Sequence, residues 1–231
     1  YGSHGSKRLL ATLKEKLESE GKSPYVIPVG GSNGLGTWGY LLFVQELLQQ
    51  IEESGRGFDR VVLATGSGGT ATGIALGFAL SGCGIKVDCF GVCDDPGYFY
   101  HMAEEISKEM GVTLGTNGLP DAKDMLTVHQ AKGRGYAVNS EEELEVMASV
   151  ALDTGVVLDP VYSGKAYYGL QREITENPDQ WEGQRILFLH TGGMLGMYDK
   201  CPQLEALMAK QGDRRFPYGH LFSDAASSTS E

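Results

Sequence analysis

Short apolar runs in this chain end repeatedly in glycine- or turn-rich loops, and helical patterns follow those loops. Residues 24–29 (PYVIPV) lead into the loop 30–36 (GGSNGLG), and a helix is expected from about residue 39 to 53. Residues 60–64 (RVVLA) lead into Thr65, Gly66, Ser67, Gly68, Gly69 and Thr70, and an apolar helix is expected over 71–80. Residues 86–92 precede a helix at 98–110. Residues 156–158 precede the loop 159–164 and a helix that Ser163 is expected to cap, running to about 175. Residues 186–189 precede His190, Thr191, Gly192 and Gly193. Short continuous apolar strands alternating with helices make a parallel sheet covered on both faces. The expected fold class is therefore α/β, a parallel sheet with helices on both faces. Ligands of such sheets sit beyond the carboxyl ends of the strands. The loops 30–36, 65–70, 159–164 and 191–193 fall there and are expected to wall one site.

Around this frame, residues 7–20 read as an amphipathic helix, with Leu9, Leu10, Leu13 and Leu17 at helical spacing. Residues 111–135 read as polar and irregular. Ser140 followed by Glu141, Glu142 and Glu143 reads as a capping box opening a helix to about residue 153, and Gly155 ends it. The stretch from Asp213 has the composition of a disordered tail.

Glycine supplies 33 of 231 residues, about twice its usual share of roughly 7%. There is no collagen-like period, so the excess belongs to the loops. Lysine and arginine total 19 against 30 aspartates and glutamates, a net charge of −11. A nucleic-acid face is basic, and no basic cluster occurs, so neither nucleic acid nor anionic lipid is expected as a partner. A phosphate-bearing small molecule stays open, because backbone amides bind phosphate inside an acidic protein. No apolar run reaches the roughly 18 residues a membrane span needs. The four cysteines, at 83, 89, 93 and 201, form no C-x-x-C pair. They read as reduced, mostly buried thiols, and the spacing of the first three does not suit zinc.

The loop from Thr65 to Thr70 alternates hydroxyls with glycines between a strand and a helix. Such a loop brings the backbone close to a phosphate and aims successive amides at it. No lysine follows the glycines, so this is not a Walker A loop. Gly66-x-Gly68-x-x-Ala71, with Asp88 about 20 residues on, overlaps the dinucleotide fingerprint. Residues 30–33 are either a helix-start turn capped by Ser32 or Asn33 or a ligand-lining loop. Residues 159–165 (DPVYSGK) put the Tyr162 phenol and the Ser163 hydroxyl at a strand end. Tyr136 precedes a helix within GRGY. His190 is either a base or a structural histidine held by backbone, and the second reading is preferred.

The segments PYVIPVGGSNGLGTWGY (24–40), ATGSGGT (64–70), VCDDPGYFY (92–100), AKGRGYAVNSEEEL (131–144), LDPVYSGKA (158–166) and ILFLHTGGMLGMYDK (186–200) resemble the D-cysteine desulfhydrase and 1-aminocyclopropane-1-carboxylate deaminase family in its plant and algal form. This is a branch of the fold-type-II pyridoxal-phosphate enzymes, whose fold is similar to the tryptophan synthase β chain. The resemblance covers residues 1 to about 201, six separated motifs in order. It implies pyridoxal 5'-phosphate as cofactor, with Thr65, Gly66, Ser67, Gly68, Gly69 and Thr70 cradling its phosphate. Ser163 or Thr191 would lie beside the pyridine nitrogen, and Tyr162 and Tyr136 would be catalytic. It implies a small D-amino acid substrate, a homodimer, and α,β-elimination of D-cysteine to pyruvate, ammonia and hydrogen sulfide. The deaminase relatives commonly carry a glutamate after the tyrosine of the PVY motif, and Ser163 in that place favours the desulfhydrase reading.

The family's Schiff-base lysine lies in an amino-terminal stretch upstream of the residues matched here. Neither Lys7 nor Lys165 fits the lysine motif. The chain is therefore expected to hold the phosphate and ring side of a site without its nucleophile, and to be inactive alone. Residues 1–201 read as the carboxyl-terminal portion of a catalytic region, the large cofactor domain plus part of the small one. Residues 202–231 read as a helix end and flexible tail. No signal or transit peptide is visible, and an intracellular place is expected, in cytoplasm, mitochondrion or chloroplast. Three rival readings remain: a 1-aminocyclopropane-1-carboxylate deaminase, an NAD-binding dehydrogenase on residues 66–71, and an inactive paralogue that binds a ligand or partner.

Overall fold

The computed structural model describes residues 3–210. The tail expected from Asp213 lies outside the described residues. In chain order the elements are α1 (Ser3–Ser19), α2 (Gly34–Ser54), β1 (Arg60–Thr65), α3 (Gly69–Ser81), β2 (Lys86–Gly91), α4 (Pro96–Glu109), α5 (Ala122–Met125), β3 (Thr127–Gln130), α6 (Glu141–Thr154), α7 (Ser163–Glu176), α8 (Pro178–Trp181), β4 (Ile186–Phe188) and α9 (Cys201–Lys210). Single 3-10 stretches cover Val29–Gly31 and Met194–Lys200.

The four strands form one sheet in the order β3-β2-β1-β4, and every pair is parallel. Side chains alternate between the two faces of a strand. On one face Val61, Leu63, Val87 and Cys89 pack with residues of α2, α3 and α4. On the other, Val62 and Phe90 pack with Ala166, Leu170 and Trp181 of α7 and α8. Both faces are covered, which is why the strand sequences run apolar without alternation. A smaller cluster, Leu144, Met147, Leu158 and Leu207, joins α6 to α9.

Helix α3 is buried from Ala71 through Phe78 and carries no polar face, as a helix inside a domain does not. Its glycines set its distance from α2. A Cβ on Gly73 would lie 2.6 Å from Cβ of Tyr40, and one on Gly77 would lie 2.8 Å from Cγ2 of Val44. Only bare backbone fits there. The capping box forms as expected: Glu143 N donates to Ser140 Oγ at 3.2 Å and Ser140 N to Glu143 Oε2 at 3.1 Å.

Three sequence expectations differ from the structure. Residues 24–29 are not a strand, and Tyr25 and Ile27 stand exposed at 78% and 68%. Pro24 and Pro28 lack the N–H a ladder needs. Residues 156–158 are also irregular, with Val156 and Val157 exposed and only Leu158 buried. β3 lies inside the stretch read as irregular. Its sequence, TVHQ, buries one apolar side chain, and an edge strand of that composition gives no apolar-run signal. The thiols differ too: Cys89 is buried and Cys93 half-buried, while Cys83 and Cys201 are exposed, and all four are free. No described helix is long and apolar enough to cross a membrane.

Candidate active site

β1 ends at Thr65, and Val92 N donates to the Thr65 carbonyl at 3.0 Å just past the end of β2. The chain then turns through Gly66, Ser67 and Gly68 into α3. Gly68 sits at φ +89 as the N-cap residue and, as a glycine, brings no capping side chain of its own. The first turn of a helix offers amides without intrahelical partners. Here one of them is taken: Gly69 N donates to Ser32 Oγ at 3.1 Å. Ser32 Oγ also lies 2.7 Å from Ser67 Oγ. The 30–33 turn therefore buttresses the glycine loop across 37 residues of sequence. The helix-start reading of that turn holds, because Asn33 Oδ1 accepts from Gly36 N at 2.8 Å and caps α2.

Two cavities of about 230 Å³ each meet at this loop. Thr65, Gly68, Thr70 and Thr191 line one. Ser32, Ser67, Cys93, Tyr136 and Lys7 line the other. Gly66 and Tyr162 line both. A Cβ on Gly66 would lie 2.9 Å from Tyr162 Cε1, so the missing side chain is what lets the phenol ring lie over the loop.

Tyr162 is placed by Asp159. That buried carboxylate accepts from the backbone N–H of Val161 at 2.9 Å, Tyr162 at 2.8 Å and Ser163 at 2.7 Å, and from Ser163 Oγ at 2.6 Å. It thereby caps the start of α7, where a negative charge also meets the helix dipole favourably. The expected cap was Ser163. Its hydroxyl instead faces inward, fully occupied by Asp159 and by Asp159 N, and it lines neither cavity. The Tyr162 hydroxyl lies 2.6 Å from that of Tyr136, with the rings 5.9 Å apart edge to face. Burial, then the hydrogen bond to Tyr136, pushes the Tyr162 phenol well above its ordinary pKa. At neutral pH it is a proton holder, not a phenolate.

Thr65, Gly66, Gly68, Thr70 and Thr191 thus converge on one cavity, Ser67 joins from the adjoining one, and Gly69 stands behind with its amide spent on Ser32. Lys165, which does not fit the family's lysine motif, is fully buried and bonded to Glu143 and two carbonyls. His190 is structural, with Nε2 2.9 Å from Val157 O and Nδ1 accepting from Gly192 N at 3.3 Å. Cys93 is a site residue the sequence reading did not single out. Its thiol donates to Gly66 O at 3.1 Å, and burial first, then Asp94, pushes its pKa up to about 11. Its place two residues past a parallel strand was the available signal. Among the described residues no group of three potential ligands could hold a metal.

The donors at the glycine loop are amides and hydroxyls around the start of a helix, which suits a phosphate. Residues 3–192 match the family described as pyridoxal-phosphate dependent enzyme, and the chain belongs to that family. Its cofactor is pyridoxal phosphate, and the loop's chemistry fits that group. The chain is 53% identical over 210 residues to a bifunctional D-cysteine desulfhydrase/1-aminocyclopropane-1-carboxylate deaminase, mitochondrial, of Arabidopsis thaliana, covering 90% of this chain and 51% of that protein. It is 35% identical over 205 residues to the D-cysteine desulfhydrase of Serratia proteamaculans, covering 87% and 60%. The crystal structure of an ACC deaminase homologue superposes with a TM-score of 0.74 at 30% identity, covering 90% of this chain and 61% of that one. The chain spans about half to three-fifths of the length of these relatives.

Proposed function

We propose that the chain is the cofactor-holding part of a pyridoxal-phosphate-dependent lyase that cleaves the carbon–sulfur bond of D-cysteine to give pyruvate, ammonia and hydrogen sulfide. The observation that carries this is the Tyr136–Tyr162 hydroxyl pair, set across Gly66 from the start of α3. Pyridoxal phosphate, when bound, supplies the electron sink for loss of the Cα proton. The amides of the 66–70 turn other than that of Gly69, with the hydroxyls of Thr65, Ser67 and Thr70, would hold its phosphate. Thr191 would hold the ring nitrogen, since Ser163 is committed to Asp159. Tyr162, protonated at neutral pH, holds a proton beside the substrate and hydrogen-bonds the departing group, while Tyr136 orients it. Loops 30–33 and 66–70 fix the cradle before ligand arrives.

The desulfhydrase names of the relatives support this substrate, and the hydroxyl in place of a carboxylate after Tyr162 favours it. The bifunctional name of the Arabidopsis relative supports 1-aminocyclopropane-1-carboxylate as a second substrate. A homodimer with a soluble intracellular place, mitochondrial as in that relative's name, completes the proposal. We further propose that residues 1–201 form the catalytic portion and that the nucleophilic lysine lies outside this chain.

The test is an absorption spectrum of the chain with pyridoxal phosphate, then borohydride reduction and peptide mapping, beside a sulfide assay on D-cysteine. Binding that inorganic phosphate competes away, with no lysine labelled and no sulfide, is the expected result. Labelling of Lys7, which lines the cavity, or sulfide above a buffer control would overturn the missing-nucleophile reading. No binding at all would overturn the site.

A further inference from the structure

The turn that carries Tyr136 is held against its own preference. Ala137 sits at φ +60 and Gly133 at φ +56, and a non-glycine residue there is strained. The restraint comes from a buried cation. Lys165 Nζ donates to the carbonyls of Lys132 at 3.0 Å and Val138 at 2.9 Å, the two ends of the turn. It is also 3.2 Å from both carboxylate oxygens of Glu143. Lys165 is 0% exposed and Glu143 3%, so neither charge reaches water. A Cβ on Gly133 would lie 2.7 Å from Glu143 Oε1, so the backbone closes directly over the pair.

The same carboxylate reaches the second tyrosine. Glu143 Oε2 accepts from Asn139 Nδ2 at 3.1 Å, and Asn139 Nδ2 donates to Pro160 O at 2.7 Å. Pro160 lies two residues before Tyr162. Asn139 Oδ1 is buried and meets no donor among the described residues, so what this side chain contributes is donation. A buried ion pair is seldom retained for stability, since apolar side chains of similar volume do as well or better. This one joins the two segments that end in the facing phenols.

We propose that Lys165, Glu143 and Asn139 are positioning residues that set the Tyr136–Tyr162 hydroxyl contact, the lysine by holding the 132–138 turn and the asparagine by tying it to Pro160. The role rests on the function proposed above, but the contact itself is read without cofactor.

The experiment uses this chain labelled at tyrosine Cζ with ¹³C, with the two resonances assigned through Tyr136→Phe and Tyr162→Phe. In the wild type the Tyr162 midpoint is expected well above that of an ordinary phenol, raised by burial and by the hydrogen bond to Tyr136. Asn139→Ala and Lys165→Met are expected to lower its midpoint by a unit or more, about a tenfold gain in phenolate at fixed pH, and to match Tyr136→Phe. Arg172→Met, which breaks an exposed pair with Glu176 on the same helix, should leave it unmoved.

Lys165→Met alone strands a buried carboxylate and can unfold the chain. The double variant Lys165→Met/Glu143→Leu removes both charges and guards against that. It is expected to recover stability while the Tyr162 signal stays altered, because no donor then reaches the Lys132 and Val138 carbonyls. If stability and the tyrosine signal recover together, or if folded Asn139→Ala titrates as wild type, the positioning role is wrong. Pyridoxal phosphate binding is measured on the same samples. Absent binding to the wild-type chain, with tyrosines shifted in the variants, would refute the function proposed above and leave the tether standing; intact wild-type binding with unshifted tyrosines in the variants would do the reverse.

Discussion

Removing the Asp159 carboxylate should cost the chain a large part of its stability. In Asp159→Ala four donors lose their acceptor: three backbone N–H groups at 2.7–2.9 Å and the Ser163 hydroxyl at 2.6 Å. Hydrogen bonds to a charged group contribute about 1.5–3 kcal/mol each. They share one acceptor and do not add. Ser163 is sealed at 1% exposed, whereas Tyr162, at 36%, can find water. Counting the two buried Ser163 bonds as one shared loss because both end on Asp159 Oδ1, a helix-dipole contribution of about 1 kcal/mol, and partial losses at the other two amides gives a total of about 3–5 kcal/mol. Asp159→Asn keeps one acceptor oxygen and sets an NH₂ against amide donors, so it should cost about 2–3 kcal/mol. Urea denaturation followed by far-UV circular dichroism measures both. A loss below about 1 kcal/mol in the alanine variant, with unchanged denaturant slope, would mean that the carboxylate does not hold the start of α7.

Gly66→Ala forces a methyl to within 2.9 Å of the Tyr162 ring; it should destabilise by about 1–3 kcal/mol and weaken pyridoxal phosphate binding in a fluorescence titration, and wild-type affinity would contradict the close approach. Arg60→Met removes the guanidinium 2.8 Å from Asp88, itself 1% exposed, and should cost about 3 kcal/mol in urea melts, the low end for a broken buried pair because His129 Nε2 stays 2.9 Å from Asp88 Oδ1. In iodoacetamide labelling read by mass mapping, exposed Cys83 and Cys201 should react first and buried Cys89 only on unfolding. Cys93, with its pKa near 11, should react about a hundredfold more slowly than an ordinary thiol at pH 8 and about tenfold faster per pH unit up to that value; equal rates would refute the burial argument.

The frame of the fold was legible because β1, β2 and β4 are apolar and each ends at a loop. The same rule misread residues 24–29 and 156–158, since an apolar run becomes a strand only where a neighbour can pair with it. It also passed over β3, whose polar residues face partners that sequence does not reveal: His129 Nε2 lies 2.9 Å from Asp88 Oδ1, a contact across 41 residues. The loop proposed to hold the phosphate was legible because its donors are contiguous, from Thr65 to Thr70. Ser163 was misjudged because spacing places a hydroxyl at a helix start but does not say which way it turns. Asp159, four residues earlier, decides that. The tether of Lys165, Glu143 and Asn139 was invisible for the same reason: each residue is ordinary in its own helix or loop, and only burial makes them a unit.

The start of α3, proposed above to hold a phosphate, has a consequence for the life of the protein. The helix behind it is enclosed along Ala71–Phe78, so an anion docked on its first turn is held by the core of the domain. A ligand that binds only the native state adds about 2.7 kcal/mol at a hundred times its dissociation constant. Cofactor supply then acts as a thermostat on abundance: cells short of pyridoxal phosphate would lose this chain to proteolysis faster than they lose its message, and phosphate in a storage buffer would imitate the protection in weaker form.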